Sequence, residues 1–207
     1  MPVVRYDAPL NVLVAARGHP YARDAFMAVF DGMDDAACTL VEQPAAALLM
    51  NPEAMARFDV LVLYDMPGLD FAAPDGPRFV EPDEAFRRGF LDLLDRGKGV
   101  VALHHAIAGW PAWDAYADLL GGRSLYKPGW LRGAERQDSG YRHDVRHEIE
   151  VVAAHPVTEG LPPAFEITDE LYLFEVFESD VTPLLRSRHA FVRDNFYSAA
   201  QAVVGKM

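Results

Sequence analysis

The chain has 207 residues, of which 51% are hydrophobic and 24% are charged, enough for one sizeable domain with a buried core. Its formal net charge of -12 disfavours non-specific binding to nucleic acid or to an anionic membrane, since both require clustered Lys and Arg. No apolar run approaches the length of a membrane span. The single cysteine, Cys38, excludes an internal disulfide and predicts a cytoplasmic protein.

Short apolar runs alternate with helical patterns over the first 120 residues. Unbroken apolar runs of this kind are typical of parallel strands buried on both faces. They predict strands at 11–16, 38–41, 60–64 and 99–103. Apolar residues at helical spacing predict helices at 21–33, 45–50, 83–96 and 113–120. The alternation indicates an α/β chain with a parallel sheet.

The remaining third of the chain has a weaker pattern. Residues 123–142 are rich in Gly, Arg and aromatic residues, and they predict a long irregular segment of the kind that is often functional. Further strands are predicted at 149–153 and 181–187. Because no composition shift marks a boundary, we expect a single domain over 1–207.

Polar residues follow three of the predicted strands. His19 comes after the first, Asp65 after the third, and His104 and His105 after the strand at 99–103. The carboxyl ends of parallel strands share one edge of a sheet, so these side chains are expected to lie close together. Because successive strand residues face opposite sides, we expect only one of His104 and His105 to point into the site.

This set suits two chemistries. A histidine beside a carboxylate can act as a general acid or base near neutral pH, which makes His104, His19 and Asp65 the catalytic candidates. Imidazole and carboxylate also bind divalent metals such as zinc, with His104 and His19 as the expected ligands. The alternative is a structural network in which the histidines bind loop carbonyls.

A second set of residues suits a ligand rich in hydroxyl groups. Asp169 and Glu170 can accept hydrogen bonds from hydroxyls, and Tyr172 and Trp130 can cover the face of a sugar ring. With His105, these are the candidate substrate-binding residues. The alternative is a solvated acidic loop. His143 and His147 lie in a charged stretch and are predicted at the surface.

Five motifs together resemble one known family. They are, in chain order, G-H-P-Y-A-R-D-A-F, G-K-G-V-V-A-L-H-H-A, W-D-A-Y-A-D-L-L-G-G, H-P-V-T-E-G-L-P and T-D-E-L-Y. Their order and spacing are similar to those of the ThuA-like (trehalose utilisation) proteins of the class I glutamine amidotransferase-like superfamily. The resemblance implies a flavodoxin-like three-layer αβα sandwich with a central, mainly parallel sheet. It also implies that Asp169 and Glu170 join the histidines at one site.

The chain departs from the family in two places. The family usually ends in a glycine-rich strand, whereas this chain ends at 203–207, so the last sheet element is expected to be missing or replaced. The family often has a single histidine after the central strand, where this chain has two. Amidotransferases of the superfamily place a nucleophilic cysteine on that turn, but Leu103, His104 and His105 supply no Cys, Ser or Thr. Covalent glutamine amidotransfer is therefore disfavoured.

Two functional hypotheses follow. The first is an enzyme that acts on a sugar or a related polyhydroxy small molecule by acid–base or metal-assisted chemistry. The second is a non-catalytic module that binds a sugar or a partner and retains the ancestral cleft. The aromatic-rich C-terminal third and an unfinished sheet also predict a homodimer.

Overall fold

The computed structural model describes residues 8–70, 72–74, 78–192 and 196. The chain divides into two compact units, Met1–Tyr116 and Ala117–Met207, here named the first and the second unit. The single domain expected over 1–207 stays a prediction. The expectation that the last sheet element is missing or replaced concerns residues 203–207, which lie outside the described residues. None of the described helices has both the length and the apolar character that crossing a membrane requires.

A parallel sheet forms the centre of the first unit. The strands of this unit are β1 Leu10–Arg17, β2 Ala36–Glu42, β3 Val60–Asp65, β4 Leu69–Asp70, β5 Arg78–Phe79 and β6 Gly99–Ala102. Four of them form one sheet in the order β2-β1-β3-β6, and every pair in it is parallel. The predicted α/β fold with a central parallel sheet is confirmed.

Helices connect the strands of this sheet. They are α1 Arg23–Asp31, α2 Ala45–Leu49, α3 Glu84–Asp95 and α4 Asp114–Leu120, the last of which ends in the second unit, with 3-10 turns at Ala54–Arg57 and His104–Ala108. The start of α3 is capped by Asp83, whose Oδ1 accepts a hydrogen bond from Phe86 N at 2.7 Å. Gly97, at φ 76°, follows the end of α3 in the left-handed conformation that glycine favours.

The two faces of the sheet are buried to different extents. On one face, Val12, Val14 and Val62 pack in a core cluster with Phe30 of α1. On the other face, Leu13 and residues 61 and 63 of β3 are fully buried. This alternation follows from the pleat, which directs successive side chains to opposite faces.

Strand β6 is less buried than its sequence predicts. Its apolar run indicates burial on both faces, but the Val101 side chain is 48% exposed and Ala102 is exposed. The reason is its position at the edge of the sheet as described, where α1 covers only part of the face on which Val101 lies.

The second unit is mostly antiparallel. Its strands are β7 Gly122–Arg123, β8 Gly129–Leu131, β9 Ala134–Arg136, β10 Gly140–Val151, β11 Ala164–Leu173, β12 Glu175–Val176 and β13 Leu185–Ser187, with a 3-10 turn at Pro156–Thr158. Strand β10 pairs with β11 on one side and with β13 on the other. Its register with β11 shifts between Arg142 and Val145, where Asp144 has a φ of 55°.

Two expectations for this unit were wrong. Residues 123–142 were expected to be irregular but contain β7, the β8–β9 hairpin and the start of β10. Strands of two or three residues are too short to show alternation, and the hairpin turns at Arg132 and Gly133, both at positive φ, without the usual Asn-Gly signal. His147, predicted at the surface, is buried with its Nδ1 2.6 Å from Ser187 Oγ.

Gly18 is the tightest backbone position near the end of β1. Its φ is 100°, and an added Cβ would lie 2.6 Å from the carbonyl oxygen of Met66. We expect Gly18→Ala to lower the free energy of unfolding by at least about 2 kcal/mol, because both the strain and the clash involve backbone atoms.

Gly32→Ala is the matched control, since an added Cβ there meets nothing within 4 Å. Urea denaturation of both variants checks the prediction. Equal stabilities of the two variants would contradict it.

Candidate functional site

The carboxyl ends of three parallel strands meet at one edge of the first unit's sheet. Arg17 at the end of β1 pairs with Asp65 at the end of β3, and Ala102 at the end of β6 pairs with Leu63. The residues that follow these ends, among them His19, His104 and His105, therefore enter the same region. The structure brings together the four polar residues that the strand-end argument placed there.

The three histidine rings of this site lie close to one another. His19 and His105 are stacked, with centroids 3.6 Å apart and ring planes 16° apart. The His104 ring lies edge-on to His105 at a centroid distance of 4.4 Å. The Tyr64 ring also contacts this group, with its centroid 4.6 Å from that of His19 and 5.2 Å from that of His105. We name His19, His104 and His105 the histidine cluster.

Both His104 and His105 belong to the cluster, contrary to the expectation that only one would point into the site. Strand β6 ends at Ala102, and residues 104–108 form a 3-10 turn. Alternation between faces applies only within a strand, so it does not separate these two rings.

Backbone carbonyls hold His19 in place. Its Nε2 lies 2.7 Å from the carbonyl oxygen of Tyr64, and its Nδ1 lies 3.1 Å from that of Pro20. A carbonyl oxygen only accepts, and a neutral imidazole carries one N–H, so the neutral ring donates to one of these two carbonyls. Both ring nitrogens face carbonyl oxygens, so a metal would have to displace one of them to bind His19.

His105 has the opposite character. Its pKa is lowered to about 3, first by burial and then by the neighbouring His19 and His104. The ring is therefore neutral at pH 7 and retains a lone pair. Ligand nitrogens of His104 and His105 lie within 4.8 Å of each other, so this pair can supply two nitrogen ligands to a divalent metal.

Asp65 is the buried acid of the site, with 1% of its surface exposed. Its Oδ2 accepts a hydrogen bond from Gln43 Nε2 at 2.6 Å, while Oδ1 is buried and has no hydrogen-bond partner among the described residues. Burial raises the pKa of this carboxyl to about 6, against the opposing effects of the Gln43 bond, the Asp65 backbone and His19. Asp65 therefore gains or loses its proton close to neutral pH.

Gln43 is the site residue that the sequence analysis missed. It follows β2, whose carboxyl end lies at the same edge of the sheet as those of β1 and β3. Its position directly after a strand is the signal that could have found it. Nearby, the Tyr21 hydroxyl donates to Glu42 Oε1 at 2.8 Å.

The candidate substrate-binding acids lie in the second unit. Glu170 on β11 accepts a hydrogen bond from the Tyr172 hydroxyl at 3.0 Å through Oε2, and its Oε1 lies 3.2 Å from His143 Nδ1. Asp169 Oδ1 accepts a hydrogen bond from the backbone N of Glu170 at 2.8 Å. The Tyr172 ring stacks on Tyr141 at 5.7 Å. This unit thus presents a carboxylate flanked by aromatic rings, with both acids on a strand rather than in a loop.

Trp130, the remaining candidate of the second unit, is largely exposed. It lies on β8 with 75% of its surface exposed, opposite Glu135 of β9. The turn of this hairpin is held by Arg132, which binds Asp118 and Asp180 and lies 3.7 Å from the centre of the Phe177 ring. The indole is therefore presented to solvent from a well-anchored hairpin.

Comparison with known proteins decides the family. A family model described as ThuA, trehalose utilisation, matches residues 11–202. The chain belongs to the ThuA family. A crystal structure of a ThuA-like protein from Parabacteroides merdae is similar, with a TM-score of 0.62 and 17% sequence identity over 86% of this chain and 68% of that one. At this identity the similarity shows the fold alone. No curated protein matches the chain.

Asp65 should make the stability of this ThuA protein depend on pH. Its pKa rises from 3.8 in a model peptide to about 6 in the fold, so the folded state binds the proton more tightly than the unfolded state. The contribution of Asp65 to the free energy of unfolding is therefore full below about pH 4 and is lost as the pH rises through about 6. Asn cannot ionise. We therefore expect the free energy of unfolding of Asp65→Asn, relative to that of the parent, to rise by up to about 3 kcal/mol between pH 4 and 7.

Urea denaturation of both proteins at pH 4, 5, 6 and 7 measures this difference. The lowered pKa of His105 acts in the opposite direction, but it is present in both proteins and cancels in the comparison. Asp92→Asn, on an exposed position of α3, is the control and should show no such trend. A difference that does not change with pH would contradict the prediction.

Proposed function

We propose that this protein is an enzyme that acts on a sugar or a related polyhydroxy small molecule by acid–base or metal-assisted chemistry. The observation that carries the proposal is the histidine cluster beside the buried carboxyl of Asp65, at the carboxyl edge of a parallel sheet. Membership of a family described as trehalose utilisation supports the substrate class.

The pKa of Asp65 supports proton transfer at this site, since this carboxyl exchanges its proton near pH 6. His105, whose pKa is lowered to about 3, stays neutral at pH 7 and is better suited to bind a metal or a donor through its lone pair. Groups that change charge close to the working pH are the most effective general acids and bases. We assign His104 as general base or metal ligand, with His19 and Asp65 as its partners in catalysis.

The cluster also fits a divalent metal through His104 and His105, and His19 is proposed as a further ligand that binds when the metal displaces one of its carbonyl contacts. Neutral imidazoles are common ligands of zinc. A bound divalent metal would supply Lewis acidity and lower the pKa of a bound water. The role of the chain is to orient the two rings, and His105 is held by stacking on His19.

Covalent acyl chemistry is disfavoured by the same residues. The turn after β6 offers Leu103, His104 and His105 where amidotransferases of the superfamily carry a nucleophile. Cys38 lies within β2, and its pKa is raised, mainly by burial, which lowers the thiolate fraction. Glutamine amidotransfer is therefore not proposed.

We assign substrate binding to His105 and to four residues of the second unit, Asp169, Glu170, Tyr172 and Trp130. Carboxylates accept hydrogen bonds from hydroxyls, and aromatic rings cover the apolar faces of sugars. The Glu170 carboxylate, already bound by Tyr172 and His143, is the strongest of these assignments because its orientation is fixed.

His104→Ala and His105→Ala test the catalytic assignment. The purified protein is incubated with trehalose and a panel of mono- and disaccharides, with and without zinc, and the products are followed by NMR. We expect turnover to fall by roughly a hundred- to ten-thousandfold in His104→Ala, because general acid–base groups contribute about that much, and to fall also in His105→Ala, which loses a metal- or substrate-binding ring. Metal content is measured on the same samples by elemental analysis.

His189→Ala is the matched control, since this histidine is exposed and its ring contacts Phe191. It should keep full activity. Turnover that survives loss of both His104 and His105 would contradict the proposal. Sugar binding without turnover, unaffected by loss of the histidines, would favour the binding module instead.

We also propose that the protein is a cytoplasmic homodimer. The single cysteine supports the location, and the edge strand β6 of the described sheet, whose backbone can pair with a second copy, supports the dimer. Light scattering at tens of micromolar should give twice the 23.0 kDa mass of one chain. A monomer mass across that range would contradict the dimer.

A further inference from the structure

An apolar groove runs along one face of the first unit's sheet. It has a volume of about 530 Å³ and lies between helix α1 and the strands β3 and β6. Its walls include Phe26, Val29 and Met33 from the helix side and Val62, Val101 and Leu103 from the sheet side. Val29 is 62% exposed and Val101 is 48% exposed, so the groove is open to solvent.

The polar residues of the groove are both at one end. Tyr64 and His104 line it there, and no Asp, Glu, Lys or Arg is among its described lining residues. Tyr64 and His104 also lie in or against the histidine cluster. The groove is therefore continuous with the candidate site.

This composition is that of a small-molecule pocket. Such pockets have volumes of roughly 300–1,000 Å³, and they combine apolar walls with a few polar groups that orient the ligand. Since the described residues that line the groove carry no Asp, Glu, Lys or Arg, an uncharged occupant is favoured, because a buried charge would find no ionic partner among them. An occupant with one apolar end would match the apolar walls, and its hydroxyl-bearing end would match the end of the groove that Tyr64 and His104 line.

We propose that the groove binds the apolar part of a small molecule whose hydroxyl-bearing part reaches His104. The ligand is an uncharged amphiphile, such as a sugar that carries an alkyl or aryl substituent. The inference rests on the proposed function for the identity of the polar part. The apolar part depends on the groove alone.

A series of n-alkyl glucosides with methyl, butyl, hexyl and octyl chains tests the groove, using calorimetric titration below their micelle concentrations. Affinity should rise by about two- to fourfold for each methylene that the groove buries. The heat capacity of binding should become more negative along the series, which is the mark of apolar burial.

Three glutamate substitutions locate the binding. Val29→Glu and Val101→Glu place a charge on opposite walls of the groove, at positions that are 62% and 48% exposed. Each should weaken hexyl glucoside binding at least tenfold and leave methyl glucoside binding unchanged. Leu48→Glu is the control, since Leu48 is 77% exposed and does not line the groove.

The outcomes of these experiments distinguish failure of the groove assignment from failure of the proposed function. Affinity that is independent of chain length, or a chain-length effect retained in both groove variants, overturns the inference. A mass that doubles with concentration and halves when hexyl glucoside is added identifies a second copy as the occupant and also overturns it. If n-hexanol binds as tightly as hexyl glucoside, with the same loss in the variants, the groove assignment holds and the sugar assignment fails.

Discussion

The parallel pairing of β3 with both β1 and β6 is the constraint on which the candidate site depends. It aligns the ends of the three strands, and it fixes the carbonyl of Tyr64 that accepts the hydrogen bond from His19. A slip of one residue in β3 would turn Asp65 to the opposite face and move that carbonyl out of reach. The register therefore determines which polar groups meet, and the apolar residues of the strands determine the register.

Burial shifts the pKa values of two groups that the strand ends bring together. It raises the pKa of Asp65 and lowers that of His105, so both groups are shifted toward their neutral forms. The neighbouring His19 and His104 rings add to the lowering of the His105 pKa, because a positive charge on either of them disfavours a proton on His105.

The sequence predicts the sheet and its edge well, because a buried strand needs an unbroken apolar run and a turn must follow it. The sequence does not predict the contacts of residues whose position depends on pairing between distant segments of the chain. Gln43 reaches Asp65 across 22 positions of sequence, a contact that only parallel pairing creates. The alternation of β10 is hidden because His147 occupies an inward position between Val145 and Ile149. His105 was misjudged because a strand was assumed where a 3-10 turn begins.

The open apolar groove has a consequence for the protein in concentrated solution. At neutral pH the net charge of -12 opposes association beyond the proposed dimer. At a pH near the isoelectric point of about 4.9 the repulsion vanishes while the apolar face remains. We therefore expect mild acidification toward pH 4.9 to favour self-association of the protein through this apolar face.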